Sequence, residues 1–165
     1  MSSLLTPNVI KVVTLLAPSL ALTTSTSILS YSIFLAPSII AQVDTSPSLA
    51  LRQIVYYFRN GKPIFPPAVL VNTALYAVLA YAEPTKRIGY SIAAAGSFFV
   101  IPISAGYMIP VTNDRILELE DRASKGGEVS KDEVKRLVGD FKRENWLRGG
   151  VYWLGAIVGL WTTIM

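Results

Sequence analysis

The stretch from Pro110 to Arg148 reads PVTNDRILELEDRASKGGEVSKDEVKRLVGDFKRENWLR, and it decides the fold. It holds nine Lys/Arg and nine Asp/Glu residues, which together are eighteen of the 26 charged residues of the chain. Almost everything outside this stretch is apolar. A polar hairpin between apolar segments is typical of a small membrane protein in which two spanning helices extend into water and return.

Composition limits the class of protein and of chemistry. A chain of 165 residues has room for one domain, and a hydrophobic content of 52% places it with membrane proteins. There is no Cys, which excludes disulfides and thiolate metal sites, and no His, the commonest general base and metal ligand. We therefore expect neither a metal ion nor a bound cofactor. The net charge is +4, but basic and acidic residues alternate in the hairpin, so we expect no nucleic-acid partner.

The first apolar run extends from Val12 to Val43 and contains a polar patch, Thr23–Ser27. One interpretation makes Val12–Leu22 the apolar core of a cleaved signal peptide. The other, which we favour, is a single uncleaved helix from about Asn8 to about Ala41. Ser and Thr inside a span commonly bond back to their own helix, so the patch indicates either a bend or a polar wall on a cavity.

Between the first and second spans we expect a loop from Asp44 to about Pro63. Within it, Leu49–Phe58 is predicted to form a short amphipathic helix at the membrane interface. The tight connection Glu83–Arg87 predicts that spans two and three are antiparallel neighbours. The Gly155 and Gly159 motif indicates a packing face, used either inside the protein or in a dimer.

The polar stretch is predicted to be two helices. One of Thr112, Asn113 and Asp114 is expected to cap the first, and glycines after Lys125 are expected to end it. Ser130 and Glu133 have the spacing of a capping box for the second helix. That helix has an apolar face and is expected to run unbroken into the fourth span; the face comprises Val134, Leu137, Val138 and Phe141.

The sequence thus predicts an all-α fold: an integral membrane four-helix bundle, one domain over 1–165, with a cytosolic helical hairpin between spans three and four. The predicted spans are about 12–41, 64–82, 88–109 and 146–165, with the hairpin at 110–145. The two larger loops carry twelve Lys/Arg against three on the opposite side, which places those loops in the cytosol. A multi-pass protein of an ER-type endomembrane is expected if the source is eukaryotic.

Familiar catalytic motifs are absent from the sequence, and the most informative polar residues lie at the membrane edge. Asn145, Arg148 and Tyr152 fall at i, i+3 and i+7, so they share one helix face. In one interpretation Arg148 extends to the membrane surface, or forms a static ion pair with Asp114 or Glu118. In the other it is a fixed cation in a pocket, with Asn113 and Asn145 as hydrogen-bonding partners, and stabilises an anionic intermediate.

Several short motifs occur in an order that carries a resemblance. They are Ser27 and Ser30 before Pro37, Tyr56-Tyr57 with Gly61 and Pro66-Pro67, Pro110-x-Thr112-Asn113 with Leu117, and Asn145-x-x-Arg148. With these motifs the chain resembles the anthrone oxygenase-like family of small four-span membrane proteins. A Trp often stands four residues before the Asn of the last motif in that family, and here the position is Phe141, with Trp146 after Asn145.

The resemblance implies oxidation of polyketide anthrones to anthraquinones by O2 without metal or flavin. The expected partners are the lipid bilayer, an aromatic polyketide and O2. For this chemistry we assign Arg148 and Asn145 to the oxyanion side and Asn113 as a hydrogen-bonding partner. Without His, the base has to be Asp114 or Tyr107.

Two other functions remain open at this point. The first is a non-enzymatic membrane protein of the same fold, either an assembly factor or a binder of lipid or another hydrophobic molecule. The second, a transporter or channel, has less support because Arg148 alone is charged near a span. An enzyme requires Asn113, Asn145 and Arg148 to converge on a cavity wide enough for three fused rings, whereas a scaffold would have Arg148 fully paired and no cavity.

Overall fold

The computed structural model describes residues 6–165, and every regular element in that range is helical, which confirms the all-α class. The α-helices are α1 (Pro7–Ser30), α2 (Ala36–Val43), α3 (Pro47–Gly61), α4 (Phe65–Ala82), α5 (Arg87–Phe98), α6 (Val100–Ile103), α7 (Asp114–Ser124) and α8 (Lys131–Ile164). The connecting helical segments are two π-helices, Tyr31–Leu35 and Ser104–Asn113, and a 3-10 turn, Pro84–Lys86.

The first apolar run is helical without a break from Pro7 to Val43, through α1, the first π segment and α2. The long helix predicted from about Asn8 to about Ala41 is therefore present. Within the polar patch, the Ser27 hydroxyl donates to the carbonyl oxygen of Thr23 at 2.8 Å. Such bonding back to the same helix satisfies the hydroxyl without a partner from another element.

The connection after this helix is more ordered than predicted. Most of the expected loop from Asp44 to about Pro63 is the 15-residue helix α3. Helix α3 packs against α2, α7 and α8, and its apolar face is buried; that face comprises Ala50, Leu51, Ile54 and Val55. The face that was expected to lie at the membrane interface is thus covered by protein, while Tyr56 on the other side stays exposed.

Helix α4 spans Phe65 to Ala82, close to the predicted second span. Pro66 stands in its first turn, where a missing backbone N–H leaves no helical bond unmade. The 3-10 turn then returns the chain, and α5 packs along α4 as predicted for antiparallel neighbours. Helix α5 ends at Phe98, and the short helix α6 follows from Val100 to Ile103.

The predicted helix cap at Thr112, Asn113 or Asp114 was wrong. The π segment runs directly into α7, and Asn113 has a helical backbone with no capping bond from its side chain. A capping residue needs an extended backbone to turn its side chain toward free N–H groups. Here the preceding helical turn already supplies carbonyl partners, so no cap is needed and the Asn113 side chain is available elsewhere.

The turn between α7 and α8 matches the glycine signal in the sequence. Gly126 has φ +83°, a left-handed conformation that favours glycine, and the N–H of Gly127 donates to the carbonyl of Arg122 at 3.0 Å. Helix α8 begins after an extended Ser130, as predicted, but Ser130 makes no side-chain capping bond. Glu133, the other half of the predicted box, instead pairs with Arg122 at 2.9 Å.

Helix α8 continues unbroken for 34 residues, roughly 50 Å. Its predicted apolar face, Val134, Leu137, Val138 and Phe141, is buried as expected. Farther along, α8 packs against α1 and α5, while α4 packs against the same two helices. Helices α5 and α8 approach closely where Gly96 faces Gly155, since a Cβ placed on Gly96 would lie only 2.9 Å from the Cα of Gly155. The glycine motif therefore serves packing within the chain.

The buried apolar residues form two clusters. The hairpin-end cluster joins α2, α3, α7 and the first half of α8, and it includes Tyr31, Ile39, Ile54, Ile116 and Phe141. The terminal-end cluster joins α1, α4, α5 and the second half of α8, and it includes Ile28, Val69, Tyr76, Val100 and Tyr152.

The two larger polar connections meet at one end of the molecule. Lys135 of α8 pairs with Asp44 at 2.7 Å, and Arg59 of α3 pairs with Glu120 of α7 at 2.6 Å. At the opposite end, the ammonium of Lys86 donates to the carbonyl of Thr163 at 3.1 Å. Charged residues are therefore found at both ends of the molecule.

Among the described residues, three helical stretches are long and apolar enough to cross a membrane: Pro7–Val43, Pro47–Ala82 and Pro84–Ser124. Large apolar side chains are also exposed on their surfaces, such as Leu15 at 69% and Ile88 at 78%. A surface of this kind is compatible with an integral membrane protein, in which lipid covers the apolar side chains.

Candidate functional site

A cavity of about 390 Å³ lies where the hairpin-end and terminal-end clusters meet. Its volume falls within the range of about 300 to 1,000 Å³ that is typical of small-molecule sites. Much of the lining is apolar, from Ile28, Leu35, Phe58, Val69, Val100 and Phe141. Polar side chains converge on the same space, and they include Tyr31, Lys62, Ser104, Asn113, Asn145 and Arg148.

Arg148 supplies the positive charge of this cavity from α8. Its Nε and Nη2 donate to Oδ1 of Asn145 at 3.0 and 2.6 Å, and its Nη1 donates to Oγ of Ser104 at 3.2 Å. In residues 6–165 no carboxylate pairs with it within 4.0 Å. A guanidinium has five N–H groups, so two remain for a ligand.

Asn145 holds the guanidinium in place through helix geometry. The two residues are three positions apart on α8, where side chains are neighbours on one face. The amide of Asn145 is itself fixed, because its Nδ2 donates to the carbonyl of Phe141 at 2.7 Å. The predicted pairing of Arg148 with Asp114 or Glu118 is not formed, and Glu118 instead pairs with Arg115 at 3.3 Å.

Asn113 reaches the cavity from the last position of the second π segment. It is 4% exposed, and its Oδ1 has no hydrogen-bond partner within the described part of the chain. Its neighbour Thr112 donates to Oε1 of Glu144 at 2.5 Å, which ties the π segment to α8. A π-helical turn shifts the register of a helix, and such turns are frequent at functional sites.

Glu144 is a buried carboxylate that the sequence did not single out. Only one of its oxygens is bonded, since Oε2 is buried without a partner among residues 6–165. Burial raises the pKa of the Glu144 carboxyl above its usual range, and the charge of Asp140 adds to this effect. The Thr112 hydrogen bond and the charges of Arg143 and Arg148 act in the opposite direction.

Tyr31 lines the cavity from the first π segment. Its ring makes edge contacts with Phe141, at 4.9 Å between centroids, and with Tyr57 at 6.2 Å. Its hydroxyl is buried without a partner in the part of the chain that the structure describes. Phe141, which stands four residues before Asn145, is buried in the site, whereas Trp146 is 48% exposed.

The structure brings four of the five predicted site residues to one cavity: Arg148, Asn145, Asn113 and Asp114. Tyr107, the other candidate base, is 47% exposed and is not among the lining residues. No cluster of three or more His, Cys, Asp or Glu side chains suited to a metal ion occurs within residues 6–165.

Sequence reasoning did not assign Tyr31, Ser104, Thr112 or Glu144 to the site, although Thr112 belongs to the motif Pro110-x-Thr112-Asn113. Pro110 was the one available signal for the second π segment, because a proline inside a helix lacks the N–H that would close a regular α-turn. Nothing comparable marks Ser104, which becomes part of the site only through its contact with Arg148 across two helices.

A comparison with protein families matches the part of the chain that contains most of the cavity residues. The model of a family described as anthrone oxygenase matches residues 55–158, which include the second half of α3, α4 to α7 and most of α8. The match thus covers Asn113, Asp114, Asn145 and Arg148, whereas Tyr31 lies outside it. Curated proteins and solved structures gave no match.

Proposed function

The chain belongs to the anthrone oxygenase family, and on that premise we propose that it is a membrane-bound oxygenase that converts a polyketide-type anthrone to an anthraquinone with O2. One observation carries the proposal: Asn113, Asn145 and Arg148 line a single cavity of about 390 Å³, and Arg148 has no carboxylate partner among the described residues. An ion-paired arginine in a scaffold would have its charge already neutralised. Here the charge is available to a ligand.

The proposed membrane arrangement has four spans, with the second half of α8 as the fourth. No charged residue follows Arg148 in the sequence. Large apolar side chains of this half are exposed, including Leu154 at 62% and Trp161 at 64%, and lipid would cover them. The polar hairpin and α3 would then lie on the cytosolic side, since they carry most of the Lys/Arg residues. An ER-type endomembrane is the proposed location in a eukaryotic cell.

The chemistry begins at the acidic CH2 group of the anthrone. A base removes one proton, and the electron pair delocalises to the ring carbonyl, which becomes an aromatic oxyanion. The two free N–H groups of Arg148 would bind that oxyanion, with Asn145 as the residue that orients them. We assign the base to Asp114 because it lines the cavity and Tyr107 does not.

The oxyanion is electron-rich enough to reduce O2 directly. Transfer of one electron gives a radical pair, which joins to form a C–O bond at the former CH2 carbon. Protonation gives a hydroperoxide; loss of the remaining C–H proton with cleavage of the O–O bond then releases water and leaves the quinone carbonyl. Each O2 therefore supplies one oxygen to the quinone and one to water, and no metal or flavin is required.

A second candidate is a non-enzymatic binder of a flat hydrophobic molecule, such as a lipid-handling or assembly factor. The absence of His from the sequence favours it, because the commonest general base is then missing. The same cavity and the same Arg148 would serve binding alone, so the two candidates differ in turnover and not in occupancy.

The test is O2-dependent oxidation of emodin anthrone by purified protein in detergent, with spontaneous oxidation subtracted. We expect a rate above background that collapses in Arg148→Ala. Arg143→Ala is the matched control, because Arg143 lies on the same helix but pairs with Asp140 on the surface at 3.3 Å. A wild-type rate equal to background would contradict the proposal and favour the binder.

A further inference from the structure

Two polar atoms at the cavity are not accounted for by hydrogen bonds within the described chain. The hydroxyl of Tyr31 and Oδ1 of Asn113 are buried, line the cavity and lack a hydrogen-bond partner among residues 6–165. The two residues are 7% and 4% exposed. A buried polar group without a partner is costly to a fold, and most such groups in proteins are satisfied. These two atoms therefore point to a partner inside the cavity.

Both atoms are placed by helical segments that are anchored to α8. Next to Tyr31 in the first π segment, Ser32 donates to the carbonyl of Lys142 at 2.8 Å. Next to Asn113 in the second π segment, Thr112 donates to Glu144. Each π segment is thus fixed by one residue and presents the adjacent residue to the cavity. Such a rigid support keeps a binding group in position before the ligand arrives.

We propose that Tyr31 and Asn113 are specificity-determining residues that hydrogen-bond hydroxyl groups on a planar aromatic ligand in this cavity. The inference deepens the proposed function and rests on it for the ring system of the ligand. Arg148 receives the carbonyl that becomes the oxyanion, whereas Tyr31 and Asn113 select among ring systems by their substituents. Neither residue is assigned a part in proton or electron transfer.

The chemistry of the two groups defines what the ligand must carry. An Asn side chain offers one acceptor and two donors whichever way its amide is turned, and a Tyr hydroxyl both donates and accepts. A phenolic hydroxyl complements either group, while an unsubstituted aromatic edge complements neither. Any water that occupies the cavity would be displaced by the ligand, and displacement without replacement of its hydrogen bonds loses affinity. The site should therefore favour hydroxylated rings over bare ones.

Binding of two stable quinones separates this inference from catalysis. We would measure dissociation constants of 2-hydroxyanthraquinone and of unsubstituted anthraquinone in detergent by quenching of tryptophan fluorescence. Neither ligand turns over, so the result does not depend on activity. In wild type we expect the hydroxylated ligand to bind about three- to tenfold more tightly, the value of one neutral hydrogen bond. In Tyr31→Phe, which keeps the ring, we expect the preference to fall toward one.

Tyr76→Phe is the matched control. The Tyr76 hydroxyl is also buried without a partner in the described chain, but it lies in the terminal-end cluster and not in the cavity lining. Its removal should leave the preference unchanged. Asn113→Leu is a second variant with the same expected loss, and Tyr31→Phe decides alone if the Leu variant does not fold.

The outcomes distinguish the two proposals. Equal binding of both quinones by wild type, or an unchanged preference in Tyr31→Phe, would overturn the specificity assignment and leave the proposed function standing. If neither quinone binds, the cavity does not accept this ring system, and both proposals fail. A preference that also disappears in Tyr76→Phe would show a general effect of lost hydroxyls and would overturn the assignment to the cavity.

Discussion

Arg148 donates two hydrogen bonds to a single oxygen of Asn145, one turn earlier on the same helix, from Nε at 3.0 Å and from Nη2 at 2.6 Å. This contact orients a cation without neutralising it, because an amide oxygen carries no net charge. An ion pair with a carboxylate would orient the guanidinium equally well but would cancel its attraction for an anionic intermediate. In the proposed reaction, this neutral partner would leave the charge of Arg148 available to the oxyanion.

The first prediction concerns the shape of this cation. Arg148→Lys keeps the charge but replaces a planar fork by a single ammonium, which cannot make both bonds to Asn145 while reaching Ser104. We expect the rate of anthrone oxidation to fall by about tenfold to a hundredfold. Arg143→Lys, the same change on the exposed side of α8, should retain the rate. Full activity of Arg148→Lys would show that charge alone suffices.

The second prediction concerns pH and Glu144. The folded-state pKa of this carboxyl is raised by burial, so the folded protein binds its proton more tightly than the unfolded chain does. Its contribution to stability is complete below the unfolded pKa, about 4.3, and is lost as the pH rises through the folded pKa. Glu144→Gln should remove this loss, so the melting temperature in detergent should fall less between pH 4 and pH 8 than in wild type.

Glu128→Gln is the control for this experiment, since it makes the same change at a carboxylate that is exposed on the turn before α8. It should change the pH profile much less than Glu144→Gln. Identical profiles for wild type and Glu144→Gln would mean that the carboxyl has the same proton affinity in the folded and unfolded states.

The third prediction concerns the contact between α5 and α8. A Cβ on Gly155 would lie 3.1 Å from the Cα of Gly96 and 3.3 Å from the carbonyl oxygen of Ala93, and backbone atoms cannot move aside locally. We expect Gly155→Ala to lower the free energy of unfolding by about 1–3 kcal/mol. Gly150→Ala on the same helix meets nothing within 4 Å and should be neutral or stabilising by up to about 1 kcal/mol. Denaturation in detergent would compare the two, and equal effects would contradict the packing argument.

The fourth prediction concerns the number of spans. Because the chain has no Cys, single cysteines can be introduced at exposed positions and labelled in sealed vesicles with an impermeant maleimide. We expect Thr85→Cys and Met165→Cys to be labelled from one side and Ser124→Cys from the other. Labelling of Met165→Cys from the same side as Ser124→Cys would show that α8 does not cross the membrane.

The sequence by itself determined what depends on neighbours along the chain. Long apolar runs without charged residues indicated the helices, and the glycines after Lys125 indicated the turn. The helical spacing of apolar residues indicated the buried face of α8. The spacing of Asn145 and Arg148 placed both on one helix face, and the structure shows that they are bonded. These features are set by residues close together in the sequence, so they do not depend on how the helices pack.

Only the tertiary structure decided what depends on contacts between helices. The capping box at Ser130 is unused because Glu133 pairs with Arg122 of the preceding helix. The first π segment has no sequence signature and the second has only Pro110, yet the two segments bring Tyr31 and Asn113 to the cavity. Their register is fixed by bonds to α8 from residues far away in sequence, and such bonds exist only once the helices have packed.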